Sequence, residues 1–410
     1  MKRVVVTGMG TVAPLGSDVS SFFAALLAGH SGVRKLDTPW AESLTAGVVA
    51  PVTEEIAGHF PKLRLISLDR VSQLSLLAAR QAVTQANIDF SGEQGEHCGV
   101  YWGTGMGGAN TLESAYNDLL VHSATRLKPT TVVMVMNNAS TGQIGIEFNI
   151  RGPSYTYSSA CSSSAVAIGE AFRAIRFGLV KTAIAGGAEA MLTQGVIKSW
   201  ESLQTLARVD AERPETSCRP FSADRSGFVL GEGAAALILE EESAAKARGA
   251  TILAEIVGYG NTTDATHITQ PEASGQARAM RLALAEAGLN PEQVDHINAH
   301  GTGTKVGDLS ETHAIKQVFG AQAGRLPICA TKALHGHLMG ATGAVEMLAA
   351  IETLRSRTVP PTAHHFHPDP ECDLDYVSEG PRELPKLDVV MSNSFGFGGN
   401  NAVIAVKRHS

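Results

Sequence analysis

Two stretches of this 410-residue chain echo each other. Ser226-Gly227-Phe228-Val229-Leu230-Gly231-Glu232-Gly233 runs into Ala234-Ala235-Ala236-Leu237-Ile238-Leu239. Ser394-Phe395-Gly396-Phe397-Gly398-Gly399-Asn400-Asn401 runs into Ala402-Val403-Ile404-Ala405-Val406. Each is a glycine-rich turn feeding an apolar strand, and each closes a block of alternating strand and helix patterns. β-Branched runs stand at 4–7, 99–102, 182–185, 252–258, 296–299 and 389–393. Apolar residues recur at helical spacing over 21–27, 69–86, 275–287 and 311–318. Strands separated by helices call for parallel sheets with crossover helices. Repetition of the block calls for a duplicated α/β unit, two halves of one body, divided near the Ala- and charge-rich 240–249.

Charge narrows the function classes. Lys+Arg 33 against Asp+Glu 40 leaves a net charge of −7, and aromatics are only 5 %. With no basic run, nucleic-acid binding and a polybasic membrane anchor are both disfavoured. Met1-Lys2-Arg3 leads straight into a strand rather than a signal-peptide core. No apolar stretch approaches the ~18–20 residues of a membrane span. A soluble, cytoplasmic protein is expected. The five cysteines (Cys98, Cys161, Cys218, Cys329, Cys372) form no C-x-x-C pair, so neither a disulfide framework nor a zinc site is expected.

Five segments could carry chemistry. In Ser158-Ser159-Ala160-Cys161-Ser162-Ser163-Ser164, small polar residues precede an Ala-rich helix, which places Cys161 at its first turn. Unpaired backbone N–H groups and the macrodipole there favour a thiolate nucleophile. The competing reading is a small residue packed as a hydrophobe. Asn298-Ala299-His300-Gly301-Thr302-Gly303-Thr304, with Asp308 and Glu311 downstream, puts His300 at a strand's carboxyl end, where open α/β sheets build sites. Thr331-Lys332-Ala333-Leu334-His335-Gly336-His337 and Glu346 gather a Lys, two His and a Glu among glycines. Metal binding is the rival there, but His335 and His337 share a face only on a strand, and the glycines argue for a turn. The glycines of 396–399 allow backbone N–H groups to approach an oxyanion. Thr7-Gly8-Met9-Gly10-Thr11 imitates a dinucleotide-binding turn, yet Ala13 stands at the third glycine position, leaving a tight turn between strand and helix.

These segments in this order, together with Arg219-Pro220-Phe221-Ser222, resemble the β-ketoacyl-acyl-carrier-protein synthases, in the elongating type I/II branch of the thiolase-like condensing enzymes. The resemblance spans essentially the whole chain. It implies a layered αβαβα fold from two duplicated halves, 1–249 and 250–410, with five-stranded mixed sheets. It implies Cys161 as acyl-accepting nucleophile, His300 and His337 at the extender carbonyl, and Lys332 with Glu346 as their supporting charged pair. The backbone N–H groups of Cys161 and Phe397 are the implied oxyanion hole, with Phe397 also a gate. Thr302, Thr304 and Thr269 correspond to pantetheine-tunnel positions, Met106 to the acyl-pocket depth position, and Trp200 stands where Phe is usual. The Cys–His–His set separates the chain from branches carrying Asn at the second His or a second Cys. It also separates it from partner subunits that lack the nucleophile.

The implied partners are an acyl carrier protein and a second condensing subunit, identical or related. The implied cofactor set is empty, since substrates ride on the carrier's phosphopantetheine, and no metal is implied. A thioester hydrolase using Cys161 and His300, or a silent chain-length partner, are the alternatives. Carrier docking leans on basic residues; the candidates are Lys62, Arg64, Arg126, Lys128 and Arg208. Gln204 stands where Arg is common and His335 where Thr is common in the family, departures that point to a dedicated carrier of a specialised polyene or polyketide pathway rather than general fatty-acid elongation.

Overall fold

Strand β1, Val4–Val12, is buried along its whole length, as a strand covered on both faces must be. In the computed structural model, which describes residues 1–409, it lies in the middle of a ten-stranded mixed sheet. The first half adds β2 (Cys98–Gly103), β3 (Ser154–Tyr157), β4 (Thr182–Glu189) and β5 (Gly233–Glu241). The second half supplies β6 (Ala254–Thr263), β7 (His296–Asn298), β8 (Ile328–Cys329), β9 (Val389–Gly396) and β10 (Asn400–Lys407).

The order β3-β2-β4-β5-β1-β6-β10-β9-β7-β8 repeats one plan on either side of a seam. β2 runs parallel to β3 and β4, and β7 runs parallel to β8 and β9. The pairs β4–β5 and β9–β10 are antiparallel, as are β5–β1 and β10–β6. The two glycine-rich echoes feed β5 and β10, equivalent strands. The two expected five-stranded sheets meet through a short antiparallel pairing of Val4–Val6 with 254–256, so their ladder is continuous.

Alternation along the strands sorts the core into layers. Ala235, Leu237 and Leu239 of β5 join a central cluster with helices α2 (Ser163–Arg176) and α5 (Thr342–Ser356). Their neighbours Ala234, Ala236 and Ile238 face α1 (Arg70–Ala86) instead. In the second half Ile404 and Val406 face the centre, whereas Val403 and Ala405 face α3 (Ala273–Ala287) and α4 (Lys305–Phe319). The result is helix, sheet, helix, sheet, helix. Among the described residues no helix is long and apolar enough to cross a membrane.

Some local expectations change. Gly8 and Gly10 sit inside β1 and make no turn: a Cβ at either would run into the Ala82 or Ala78 carbonyl of α1. Gly258 and Gly260 do the same in β6 against Ala283 and Ala279 of α3. Each half thus uses a Gly-x-Gly pair to let a helix lie directly on its first strand. β6 continues to Thr263 rather than stopping at 258 because it pairs with β10 as far as Asn400. Helix α4 begins at Lys305 rather than 311 because the Thr304 hydroxyl caps it, accepting from Gly307 N at 3.2 Å.

Filling either close approach is overpacking, which costs about 1–3 kcal/mol or more. Gly10→Ala and Gly260→Ala are each expected to lose at least that much stability in urea unfolding. Gly324→Ala, in open space, should fall within about 0.5 kcal/mol of the parent.

Candidate active site

Cys161 sits in the tight turn Ala160–Ser162 that leads directly into α2. Ala160 holds a left-handed φ of +53°, a conformation that costs a non-glycine residue about 1–3 kcal/mol. The turn aims the thiol into a cavity of about 670 Å³. Burial pushes the Cys161 thiol up to about 11, while the Lys332 charge and the backbone N–H groups of Phe397 and Cys161 pull it down. The helix start alone therefore does not make the resting thiolate that its position in the sequence led one to expect. Desolvation is the larger effect.

His300 follows β7, held by its own backbone. Its N–H and that of Gly301 donate to the two oxygens of Glu311, at 2.9 and 2.8 Å, and Asn393 donates to the same carboxylate at 2.9 Å. Asp308 does the same for the next stretch, accepting from Gly303 N at 3.1 Å and Phe221 N at 2.7 Å. His337 precedes α5, its Nδ1 2.9 Å from the Thr342 hydroxyl. The two imidazoles face each other nearly perpendicularly, centroids 5.5 Å apart. One side-chain atom each of Cys161, His300 and His337 lie within 4.8 Å of one another.

Lys332 and Glu346 pair at 2.6 Å with no solvent exposure on either side. The Lys332 ammonium also donates to the His300 carbonyl. Burial, then the Lys332 charge, hold His300 and His337 well below the usual imidazole range, so both are neutral. Among the described residues His300 Nδ1 and His337 Nε2 have no hydrogen-bond partner, as is also true of His335 Nδ1; what sets His300 and His337 apart is that both line the cavity beside Cys161. Burial raises the Glu346 carboxyl and the neighbouring ammonium opposes it.

The cavity wall gathers Thr302, Thr304, Thr269, Phe397 and Trp200. Thr302 and Thr304 pair through their hydroxyls at 3.0 Å. Trp200 stacks on Phe397 (centroids 5.9 Å) and meets Phe228 edge-on, and Phe228 in turn meets His337. Met106 does not line this cavity and is 44 % exposed. Of the basic candidates, only Arg208 stands at the cavity wall, beside Gln204. Lys62, Arg126 and Lys128 are exposed elsewhere, and Arg64 is engaged by Glu147 at 3.0 Å. Lys305, an exposed cation at the mouth, escaped the sequence reading because it follows the Gly/Thr-rich motif as an ordinary helix residue.

His335 turns away from the cavity: its Nε2 lies 2.9 Å from the Thr331 hydroxyl and its ring packs near Phe22. Burial, then the Lys332 charge, lower it to about 3. The unfolded chain binds that proton below the ordinary 6.5 and the folded protein does not, so stability present above pH 6.5 is lost as pH falls towards 3. One such group contributes about 1.4 kcal/mol per pH unit. His335→Gln is expected to flatten the urea-measured stability profile by that slope across the window, and an unaltered slope would contradict the assignment.

Known proteins match this chain along its length. The sequence model of the β-ketoacyl synthase N-terminal domain matches residues 1–245, and that of the C-terminal domain matches residues 253–366. 3-Oxoacyl-[acyl-carrier-protein] synthase 2 of Staphylococcus aureus (strain N315) is 41% identical over 412 residues, covering 99% of this chain and 98% of that protein. Nodulation protein E of Rhizobium meliloti (strain 1021) is 43% identical over 408 residues, covering 99% of each. A type II PKS ketosynthase, solved in complex with its acyl-carrier protein and bound to the hexaketide, superposes with a TM-score of 0.92 at 31% identity, over 100% of both chains.

Proposed function

The chain belongs to the β-ketoacyl synthase family, and on that premise we propose that it is a condensing acyltransferase that elongates carrier-bound acyl chains. The observation that carries this reading is the convergence of a buried cysteine and two neutral, unpartnered imidazole nitrogens on one cavity. Cys161 sulfur attacks the thioester carbonyl of the incoming acyl carrier, and the oxyanion faces the N–H groups of Cys161 and Phe397. The carbon–sulfur bond to the carrier breaks, and its sulfur leaves as a thiol with the proton the cysteine gave up. Thioester exchange is nearly neutral in free energy, so the chain waits on Cys161.

A malonyl thioester then enters. Assigning the Thr342 hydroxyl as donor to Nδ1 of His337 puts the imidazole proton on Nε2, the ring nitrogen without a protein partner. His300 and His337 donate to the thioester oxygen as the carbon–carboxylate bond breaks, CO₂ departs and an enolate forms. Burial keeps both rings neutral and therefore singly protonated donors, and the Lys332 charge reinforces it. The enolate carbon attacks the acyl-cysteine carbonyl, the carbon–sulfur bond breaks, and the Cys161 thiolate takes up one proton from solvent, the proton the overall condensation consumes. Two donors positioned where charge develops are worth about 10²–10³ each in rate.

The partners follow from the surface. Arg208 and Lys305 at the mouth have no ion-pair partner among the described residues and suit an acidic carrier. Edge strand β3 exposes Tyr155, and the helix beside it exposes Ile146. An open edge with apolar side chains favours pairing with a second condensing subunit, identical or related.

Intact-protein mass after mixing with acyl-carrier thioesters tests the reading. An acyl adduct is expected on the parent and not on Cys161→Ala. His337→Ala should still load the chain yet lose malonyl decarboxylation by about 10²–10³. Release of free acid without carbon–carbon bond formation would favour a hydrolase instead. Arg208→Glu combined with Lys305→Glu is expected to raise KM for carrier-borne substrate about tenfold, while pantetheine thioesters react as before; an equal loss on both would refute carrier docking at the mouth.

A further inference from the structure

Glu189 ends β4 with no solvent exposure and no Lys or Arg partner among the described residues. Its carboxylate is instead a hub for backbone donors: Gly105 N at 2.7 Å, Met106 N at 3.1 Å and Gly340 N at 3.0 Å, with the Thr104 hydroxyl at 3.3 Å. Gly105 and Gly340 must be glycines for this approach, since a Cβ on either would meet the Glu189 oxygen at 2.7 Å. The Gly105 carbonyl also accepts from the Ser158 hydroxyl, at 3.2 Å, in the segment leading to Cys161.

The neighbour of Gly340 is the telling residue. Met339 holds a left-handed φ of +45°, strained for a side-chain-bearing residue. Its sulfur lies 3.9 Å from Cys161 Sγ. The same apolar cluster contains Ala109, Met191 and Ile197, with Trp200 packed against it. A chain attached to Cys161 has to share this space with the Met339 side chain.

We propose that Glu189 is a positioning residue whose carboxylate staples the Gly105–Met106 turn to the Met339–Gly340 turn, holding the Met339 thioether over Cys161 so that its displacement limits which acyl chains the cysteine accepts. This rests on the reading of Cys161 as the acylated residue. Oε2 accepts from both Gly105 N and Gly340 N and Oε1 accepts from Met106 N, so an amide sets its NH₂ against at least one N–H of the Gly105–Met106 turn, and against Gly340 N as well when the nitrogen takes the Oε2 place.

The test uses purified full-length protein with short, medium and long saturated acyl N-acetylcysteamine thioesters, read by intact mass, and iodoacetamide alkylation of Cys161 read by peptide mass. Glu189→Gln is expected to raise the long-to-short loading ratio about tenfold, the discrimination that about one methylene of pocket space supplies. It should also speed Cys161 alkylation. Met339→Ala should do both with the staple intact, and the double variant should do no more than either alone. Parental ratio and alkylation rate in a folded Glu189→Gln protein, or additive effects in the double variant, overturn the proposal. Should Glu189→Gln fail to fold, Gly105→Ala crowds the same oxygen and is held to the same two readouts. A parent with no adduct on Cys161 would overturn the condensing reading, and the alkylation rates would still decide the staple.

Discussion

A lysine and a glutamate with no exposure to water, 2.6 Å apart, stand behind the whole active site. Removing two charges from water costs several kcal/mol per ion, and pairing alone seldom repays it. The arrangement persists because it is tied into everything around it. Lys332 donates to the His300 carbonyl as well as to Glu346. The same charge acts across the cavity on both imidazoles, lowering their proton affinity after burial has already done so. A cation that cannot be solvated and cannot leave is an electrostatic device: it makes a second positive charge nearby prohibitively unfavourable. Two neutral histidines side by side follow from that, and so does the ability of both to donate to one oxygen.

The fold supplies the rigidity this needs by using one plan twice. In each half a Gly-x-Gly pair lets a helix lie on the first strand, fixing α1 on β1 and α3 on β6. The central helices α2 and α5 then start close together, with Ala344 N donating to the Ser164 hydroxyl at 2.9 Å. Cys161 precedes one of these helices and His337 the other. Phe397 lies on the turn between β9 and β10, and a Cβ at the adjacent Gly396 would press on the Cys161 backbone N at 3.2 Å. The site is thus assembled from equivalent ends of duplicated elements, where neither half alone could place nucleophile and imidazoles together.

Much of this was legible in the chain because the informative residues are chemically conspicuous. A cysteine among serines before an Ala-rich helix, a His-Gly-Thr-Gly-Thr run after an apolar strand, and a Lys with two His among glycines are rare mixtures. What was not legible depends on burial or on distance in space. The Cys161 thiol is raised by desolvation, a quantity no local pattern reports. The two histidines at 335 and 337 look alike in sequence, yet one contacts Thr331 and Phe22 while the other faces the cavity, because Gly336, at φ +72°, reverses the chain between them. Gly8 and Gly10 suggested a turn because glycine marks turns and close approaches equally, and only the facing Ala78 and Ala82 decide. Glu189 and Met339 lie 150 positions apart and meet only through Gly340.

The strained residues complete the argument. Ala160 immediately precedes Cys161 and Met339 contacts it, and both hold left-handed backbones that alanine and methionine avoid. Each conformation persists only where surrounding contacts over-determine it. At Ala160 those contacts are the Ser163 hydroxyl on its carbonyl at 2.7 Å and the start of α2; at Met339 they include the Glu189 hold on the next N–H. Left-handed residues on both sides of Cys161 place the thiol against a thioether, at a site where burial already keeps it protonated. The resting cysteine is therefore a thiol rather than a thiolate. On the proposed reading, its activation belongs to the moment when a thioester carbonyl meets the backbone N–H groups of Cys161 and Phe397.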